Sequence, residues 1–238
     1  IDDPLRHDYN LFRRSTIECL LHEVERQSRL LHVFLAGVAG NGQAELTAAL
    51  IGERPSADNA AILFHQKPIG QLGPAARRAL GMAFVPENRL GHGAVPDMTL
   101  WENAVLSSGK NQDVVQGGFI QRATAAAIAD GIASAFSVKT PGVQAMARSL
   151  SGGNLQKFIM GREIMQEPSV LIVAQPTWGV DAGAAAFIHE RLLRLAEKGA
   201  AVVVISQDLD ELFTLSDRIA VLAGGRLSAA EAVDALTV

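Results

Sequence analysis

The sequence predicts an α/β fold with a mostly parallel sheet. Five short apolar runs carry that expectation: residues 32–36, 82–85, 170–173, 201–205 and 218–222. Each is continuous rather than alternating, as expected of strands covered by helices on both faces. Helical patterns lie between them, and strands alternating with helices give a parallel sheet. The chain has 238 residues, 48% of them hydrophobic, which is ample for a buried core without staples.

Each helix has its own signal. Residues 184–198 place Phe187, Ile188, Leu192, Leu193 and Leu195 at helical spacing, and Gly199 stops the run. Residues 155–165 form another helix that ends near Pro168. Residues 90–165 hold little strand signal and three helical stretches, 99–108, 120–136 and 154–165. They read as a helical insertion between core strands. Residues 1–32 are an N-terminal segment of open structure. Ile17, Leu20, Leu21, Val24, Ser28 and Leu31 fit one amphipathic helix, and poorly matched strands fit as well. Residues 226–238 are expected to close the chain with a short helix, because Ser228-Ala229-Ala230-Glu231 has the form of a capping box.

Composition excludes several classes. Lys plus Arg is 21 and Asp plus Glu is 25, a formal charge of −4, which disfavours a sequence-independent nucleic-acid binder. A single cysteine, Cys19, leaves no internal disulfide and no cysteine-based metal site within one chain. No apolar run approaches the roughly 18 residues that span a bilayer. The polar, acidic start does not read as a signal peptide. These points suggest a soluble cytoplasmic protein and leave room for a peripheral partner of a membrane protein. The histidines lack metal-ligand spacing and read as helix-face or surface residues. Arg77-Arg78 reads as a solvated helix face. Trp101 reads either as packing in the insertion or as a docking residue.

The first run is followed by Gly37-Val38-Ala39-Gly40-Asn41-Gly42-Gln43-Ala44 and then a helix. Gly37 and Gly42 have the spacing of the phosphate loop G-x-x-x-x-G-K-[ST], in the strand-to-helix context that motif requires. Its glycines turn backbone N–H groups toward a phosphate, and the helix start adds partial positive charge. Gln43 replaces the lysine and Ala44 the hydroxyl residue. A bare glycine turn is the competing reading of this loop alone.

Three further segments follow in order: Leu150-Ser151-Gly152-Gly153-Asn154, then Ala174-Gln175-Pro176-Thr177-Trp178-Gly179-Val180-Asp181 after an apolar run, then Ser206-Gln207-Asp208 after another. With the glycine loop, this constellation resembles the nucleotide-binding domain of ATP-binding cassette (ABC) transporters over residues 33–225. The resemblance implies a P-loop NTPase (RecA-like) core with an inserted ABC α-helical subdomain at about 90–165. It implies that Gly37, Gly40, Asn41, Gly42, Gln43 and Ala44 line a nucleotide pocket. It implies that Ser151, Gly152 and Gly153 form the signature motif, which contacts ATP bound by a second ABC domain in a head-to-tail dimer. Asp181 falls at the interface aspartate of that dimer.

Other matched positions depart from the family. Ala174 stands where a magnesium-linked aspartate belongs, Gln175 for the catalytic glutamate, Gln207 for the switch histidine and Glu87 for the Q-loop glutamine. Hydrolysis needs cations on the phosphates, ligands for magnesium and a group to orient water. No catalytic set is intact, and no metal site is expected in the chain's own pocket. The pattern resembles the degenerate C-terminal half of the fused ATP-binding subunits of nucleoside and simple-sugar importers, nucleosides being favoured by GVAGNGQAEL, FVPENRLGHG and LSGGNLQK. This implies weak ATP in the chain's own pocket, Mg2+ at the partner site, membrane permease subunits and, indirectly, a substrate-binding protein as partners, and a peripheral place on the cytoplasmic face of the membrane. A catalytically active ABC ATPase and a non-transport interaction protein of the same fold are the alternatives. The family's adenine-stacking aromatic has no clear counterpart, Tyr9 and Phe12 being the nearest. Either that platform is lost or residues 1–32 are a foreign start.

Overall fold

The computed structural model describes residues 32–36, 40–108 and 114–236. The expectations for residues 1–31, Tyr9 and Phe12 among them, and for Gly37 lie outside these. The chain divides into two compact units, one from residues up to Leu80 and from Ala196 onward, the other from Gly81 to Leu195.

The first unit opens with β1 (His32–Ala36), α1 (Gln43–Ile51), the short strands β2 (Leu63–Phe64) and β3 (Lys67–Pro68), and α2 (Pro74–Ala79). The second unit holds β4 (Met82–Val85), α3 (Leu100–Ser107), β5 (Val115–Gln116), β6 (Phe119–Ile120), α4 (Arg122–Ala135), α5 (Gly152–Ile164), β7 (Val170–Ala174) and most of α6 (Ala182–Glu197). The first unit closes with β8 (Ala201–Ser206), α7 (Leu209–Leu215), β9 (Arg218–Ala223), β10 (Arg226–Leu227) and β11 (Glu231–Ala232).

In the first unit β1 lies between two parallel neighbours. His32 pairs with Val202 and Ala36 with Ser206 on one side, and Val33 pairs with Arg218 on the other. Val202, Val203 and Val204 are fully buried, so β8 shows no polar face, which is why its run does not alternate. In the second unit β4 and β7 pair in parallel from Met82↔Val170 to Val85↔Val173. Every residue of both strands is buried. All five apolar runs are strands.

The helices expected at 99–108, 120–136, 154–165 and 184–198 also form, within two residues of those ends. Helix α3 starts at a capping box: Thr99 Oγ1 accepts from Glu102 N–H, and Glu102 Oε2 accepts from Thr99 N–H at 2.8 Å. Thr99 hydrogen bonds hold the Glu102 carboxyl below its ordinary range. Asn103 is fully buried and fastens the preceding loop through Val95, Met98 and Thr99 carbonyls at 3.0–3.1 Å. Helices α4 and α5 meet at Gly161. A Cβ there would stand 2.7 Å from Phe136 Cδ2 and 2.9 Å from Ile132 Cγ2. Alanine in a helix interior is ordinarily better than glycine by ~0.5–1 kcal/mol. Here the overlap outweighs that gain. Arg162 is buried beside Glu163, which accepts from its Nε at 2.9 Å, while its Nη2 reaches the Gly93 carbonyl at 2.8 Å.

Two expectations are corrected. Residues 226–236 form no α-helix: β10 and β11 both pair antiparallel with β9. Gly224 and Gly225, at φ 54° and 71°, make a two-residue hairpin turn that sends the chain back along β9. The Ser228 hydroxyl accepts from Val221 N–H at 2.9 Å rather than capping a helix.

The second correction is Arg77, which is fully buried rather than solvated. Its Nη1 donates to Ala49 and Leu50 carbonyls at 2.6 and 2.5 Å, its Nη2 to Ile69 and Gly70 at 2.9 and 3.2 Å, and its Nε to Leu72 at 2.9 Å. Removal from water pushes its pKa down to about 10, so it stays charged at neutral pH. Ala49 and Leu50 lie in the last turn of α1, where helix carbonyls lack partners and the dipole favours a cation. Hydrophobic replacement leaves these carbonyls without a donor, at ~1–3 kcal/mol for each that water cannot reach. Arg77→Met is expected to lower stability by more than ~3 kcal/mol in urea unfolding followed by circular dichroism. Arg77→Lys should recover only part of the loss, because an ammonium cannot span the fork.

Candidate phosphate loop and signature helix

In the first unit the glycine loop leads from β1 into α1. Gly40 and Gly42 have φ of 87° and 106°, a left-handed backbone that side chains resist. Gly42 is the N-cap of α1 and offers no side chain to its first turn. Gln43 instead reaches back past the N-cap: its Oε1 accepts from Asn41 N–H, in the loop before the helix, at 3.1 Å. Asn41 is also fastened to the β9–β10 turn. Its Oδ1 accepts from Gly224 N–H at 2.9 Å and its carbonyl from Gly225 N–H at 3.0 Å. Sequence reading missed this tie, and only the Gly-Gly pair hinted at a turn there. Ala44 is exposed and presents a methyl group. Gln207 is exposed just beyond β8, where Asp208 caps α7 by accepting from Asp210 and Glu211 N–H groups.

The second unit brings the signature residues together. Ser151 is the N-cap of α5, Gly152 its first residue, and the Ser151 hydroxyl accepts from Asn154 Nδ2 at 2.9 Å. The N–H groups of this first turn lack intrahelical partners. Asp181 lies beside them: a Cβ on Gly153 would stand 3.7 Å from Asp181 Oδ2. Asp181 Oδ1 accepts from Ala184 N–H at 2.9 Å and so caps α6. That bond holds its carboxyl below the ordinary range, and the dipole of α6 acts in the same sense.

One residue to which sequence reading assigns no role beyond its place in the Q-loop segment stands at this helix start. Arg89 Nη1 would lie 2.8 Å from a Cβ on Gly152. Its Nε donates to Gln156 Oε1 at 3.0 Å, and Gln156 Nε2 donates to the Pro176 carbonyl at 2.9 Å. Gln156, 1% exposed, therefore joins the segment after β4, the signature helix and the segment after β7. Glu87 is exposed on the first of these segments. Ala174 closes β7 with its methyl buried. Gln175 follows, buried and at φ 50°, a strained backbone for a residue other than glycine. Trp101 is half-buried, with Arg122 5.1 Å over its ring and its Nε1 donating to Gln144.

The residues at the two expected magnesium positions, Ala44 and Ala174, carry no side-chain oxygen. This donor set does not fit a divalent cation, whose shell is built from oxygens.

No family model matches the chain. It is 40% identical over 197 residues to the guanosine import ATP-binding protein NupO of Bacillus subtilis, covering 83% of this chain and 38% of that protein. It is 40% identical over 195 residues to the nucleoside import ATP-binding protein NupA of Lactococcus lactis, covering 82% of this chain and 38% of that one. A xylose import ATP-binding protein, XylG of Burkholderia ambifaria, is 36% identical over 97% of this chain and 44% of its own length. A dimeric ATP-binding cassette in a post-hydrolysis state with ADP and Pi superposes with a TM-score of 0.69, at 18% identity and 87% coverage of each chain. The chain is a homologue of nucleoside and sugar import ATP-binding proteins, and its fold is that of an ABC ATPase domain. It spans about two-fifths of the length of the curated relatives it matches. Among the described residues no helix is long and apolar enough to cross a membrane.

Replacing Gln156 by leucine keeps its volume and removes both hydrogen bonds. The Pro176 carbonyl and Arg89 Nε then lose their partner, at ~1–3 kcal/mol for a buried group left unpaired. Gln156→Leu is expected to cost about 2 kcal/mol, read as a lower urea midpoint at unchanged slope.

Proposed function

We propose that this chain is an ABC domain of a nucleoside importer whose own ATP site is degenerate and whose signature motif completes the site of a second ABC domain. One contrast carries the reading. The signature residues Ser151, Gly152 and Gly153 stand intact at the start of a 13-residue helix. The positions for hydrolysis instead hold Gln43, Ala44, Ala174, Gln175 and Gln207. A helix start with unpaired N–H groups suits an incoming γ-phosphate. A pocket without lysine, magnesium ligands or a carboxylate to orient water does not suit hydrolysis.

The nucleoside assignment rests on the two relatives that are guanosine and nucleoside import proteins, at 40% identity. Simple sugars are the second substrate class, from the xylose relative. The partners are a second ABC domain arranged head to tail, permease subunits in the membrane and, through them, a substrate-binding protein. The chain lies peripherally on the cytoplasmic face. ATP binds weakly in its own pocket, and Mg2+ belongs to the partner site.

Two measurements test this. Steady-state phosphate release by the chain alone, at saturating ATP with magnesium, should not exceed background. A turnover near ~1 per second, at the low end of ordinary enzymes, overturns the degenerate-site reading. The second test is substrate uptake by the reconstituted importer carrying Gly152→Asp. The new carboxylate would stand where the γ-phosphate arrives and would pair with Arg89. Like charges in a partly dehydrated interface repel by on the order of several kcal/mol, so transport should collapse. Undiminished uptake would mean that this helix start serves no partner.

A further inference from the structure

We infer that Gln43 is a resident ligand of its own phosphate loop: its carboxamide oxygen holds a loop N–H that a phosphate oxygen would otherwise take. The inference rests on reading residues 37–44 as a phosphate loop, and it goes beyond the loss of the lysine. A missing cation weakens phosphate binding. An internal acceptor also competes with it.

The geometry is specific. Asn41 N–H donates to Gln43 Oε1 at 3.1 Å. In such a loop the backbone N–H groups are the phosphate-binding donors. The donor is held in place from its other side, because Asn41 Oδ1 and its carbonyl accept from Gly224 and Gly225 N–H groups. Gln43 is the first residue of α1, so its side chain can turn back over the N-cap. Gly42, between donor and acceptor, has no side chain to obstruct that bond. An amide oxygen is a neutral acceptor and can be displaced by a phosphate, which makes the stronger charge-assisted bonds.

The inference reverses the ordinary sign of a truncation. Deleting the side chain of a phosphate-loop residue normally weakens binding. Here Gln43→Ala removes the competitor while the backbone donors remain. A net intramolecular hydrogen bond corresponds to roughly a two- to tenfold factor. Gln43→Ala should therefore bind pyrophosphate and ADP about fivefold more tightly than the unaltered chain. Gln43→Glu should bind more than tenfold more weakly, because a charged acceptor grips Asn41 N–H and repels the phosphate.

The experiment is calorimetric titration of the 238-residue chain and its Ala, Glu and Lys variants at position 43 with pyrophosphate and with ADP, without magnesium. Amide NMR runs alongside. In Gln43→Ala the Asn41 amide should exchange faster, while the α1 amides from Leu46 onward stay protected, showing that the helix persists. Tighter binding by Gln43→Ala together with faster Asn41 exchange supports the inference. Equal or weaker binding by Gln43→Ala, with measurable binding by the unaltered chain or Gln43→Lys, overturns the inference and leaves the phosphate-loop reading standing. Absence of pyrophosphate binding by all four chains overturns both.

Discussion

Helix α1 starts in the glycine loop and ends on a buried cation, and the order of the first unit follows from that second fact. The Arg77 guanidinium collects carbonyls from the last turn of α1, from residues 69–70 and from Leu72. A helix end with unsatisfied carbonyls cannot be buried without donors. Here one side chain supplies five, and it carries the sign of charge that the dipole favours. Gly52, just past α1, lies against it, since a Cβ there would stand 2.9 Å from Arg77 Nε and 2.5 Å from the Leu72 carbonyl. The left-handed φ of 87° at Gly52 also calls for glycine. With its C-terminus fixed, α1 presents its N-terminus in one direction, toward the loop of Gly40 and Gly42.

The second unit solves a similar problem by a different route. Its signature helix is anchored along its length: Arg162 and Glu163 are buried near its end, Gly161 allows close approach to α4, and Gln156 links it to Arg89 and Pro176. Only its first turn is left open. Ser151 spends its hydroxyl on the Asn154 side chain rather than on a backbone N–H of the helix. A helix held this firmly, with its first N–H groups unassigned, is preorganised toward an external acceptor. Arg89 adds a guanidinium beside Gly152.

Most of the core was legible because its signals are local. Continuous apolar runs became the buried parallel strands, and 3.6-residue periodicity became α4, α5 and α6. What escaped was decided by contacts distant in sequence or by turn chemistry. The Gly117-Gly118 and Gly224-Gly225 pairs are two-residue turns with both φ positive, a recognisable hairpin signal that the reading passed over. The β2–β3 turn was less visible, because His65 and Gln66 adopt φ of 47° and 62° without being glycine or asparagine. Arg77 looked solvated because its sequence neighbours are polar or small. Its acceptors are backbone carbonyls, which residue types do not reveal, and those of Leu50 and Ala49 lie 27 and 28 residues away. At the site, the motif positions were legible by type and spacing. Arg89, Gln156 and the tie of Asn41 to the β10 turn were not, because each acts through a partner far along the chain.

The two helix starts share an uncapped first turn and differ in what surrounds it. Every helix opens with N–H groups that need acceptors. At α1 no side chain caps the first turn, but Gln43 holds the Asn41 N–H of the preceding loop, and the residues suited to a nucleotide's charge are missing. At α5 the need stays open, a cation stands beside it, and the approach is through glycines that keep side chains out of the way. An N–H already held by a side chain gains less from an anion than one left open. The asymmetry between the glycine loop and the signature helix therefore includes one loop N–H already taken, beside the departures at Gln43 and Ala44. On the function proposed, it would direct the chain's capacity for phosphate outward, to nucleotide held by another domain.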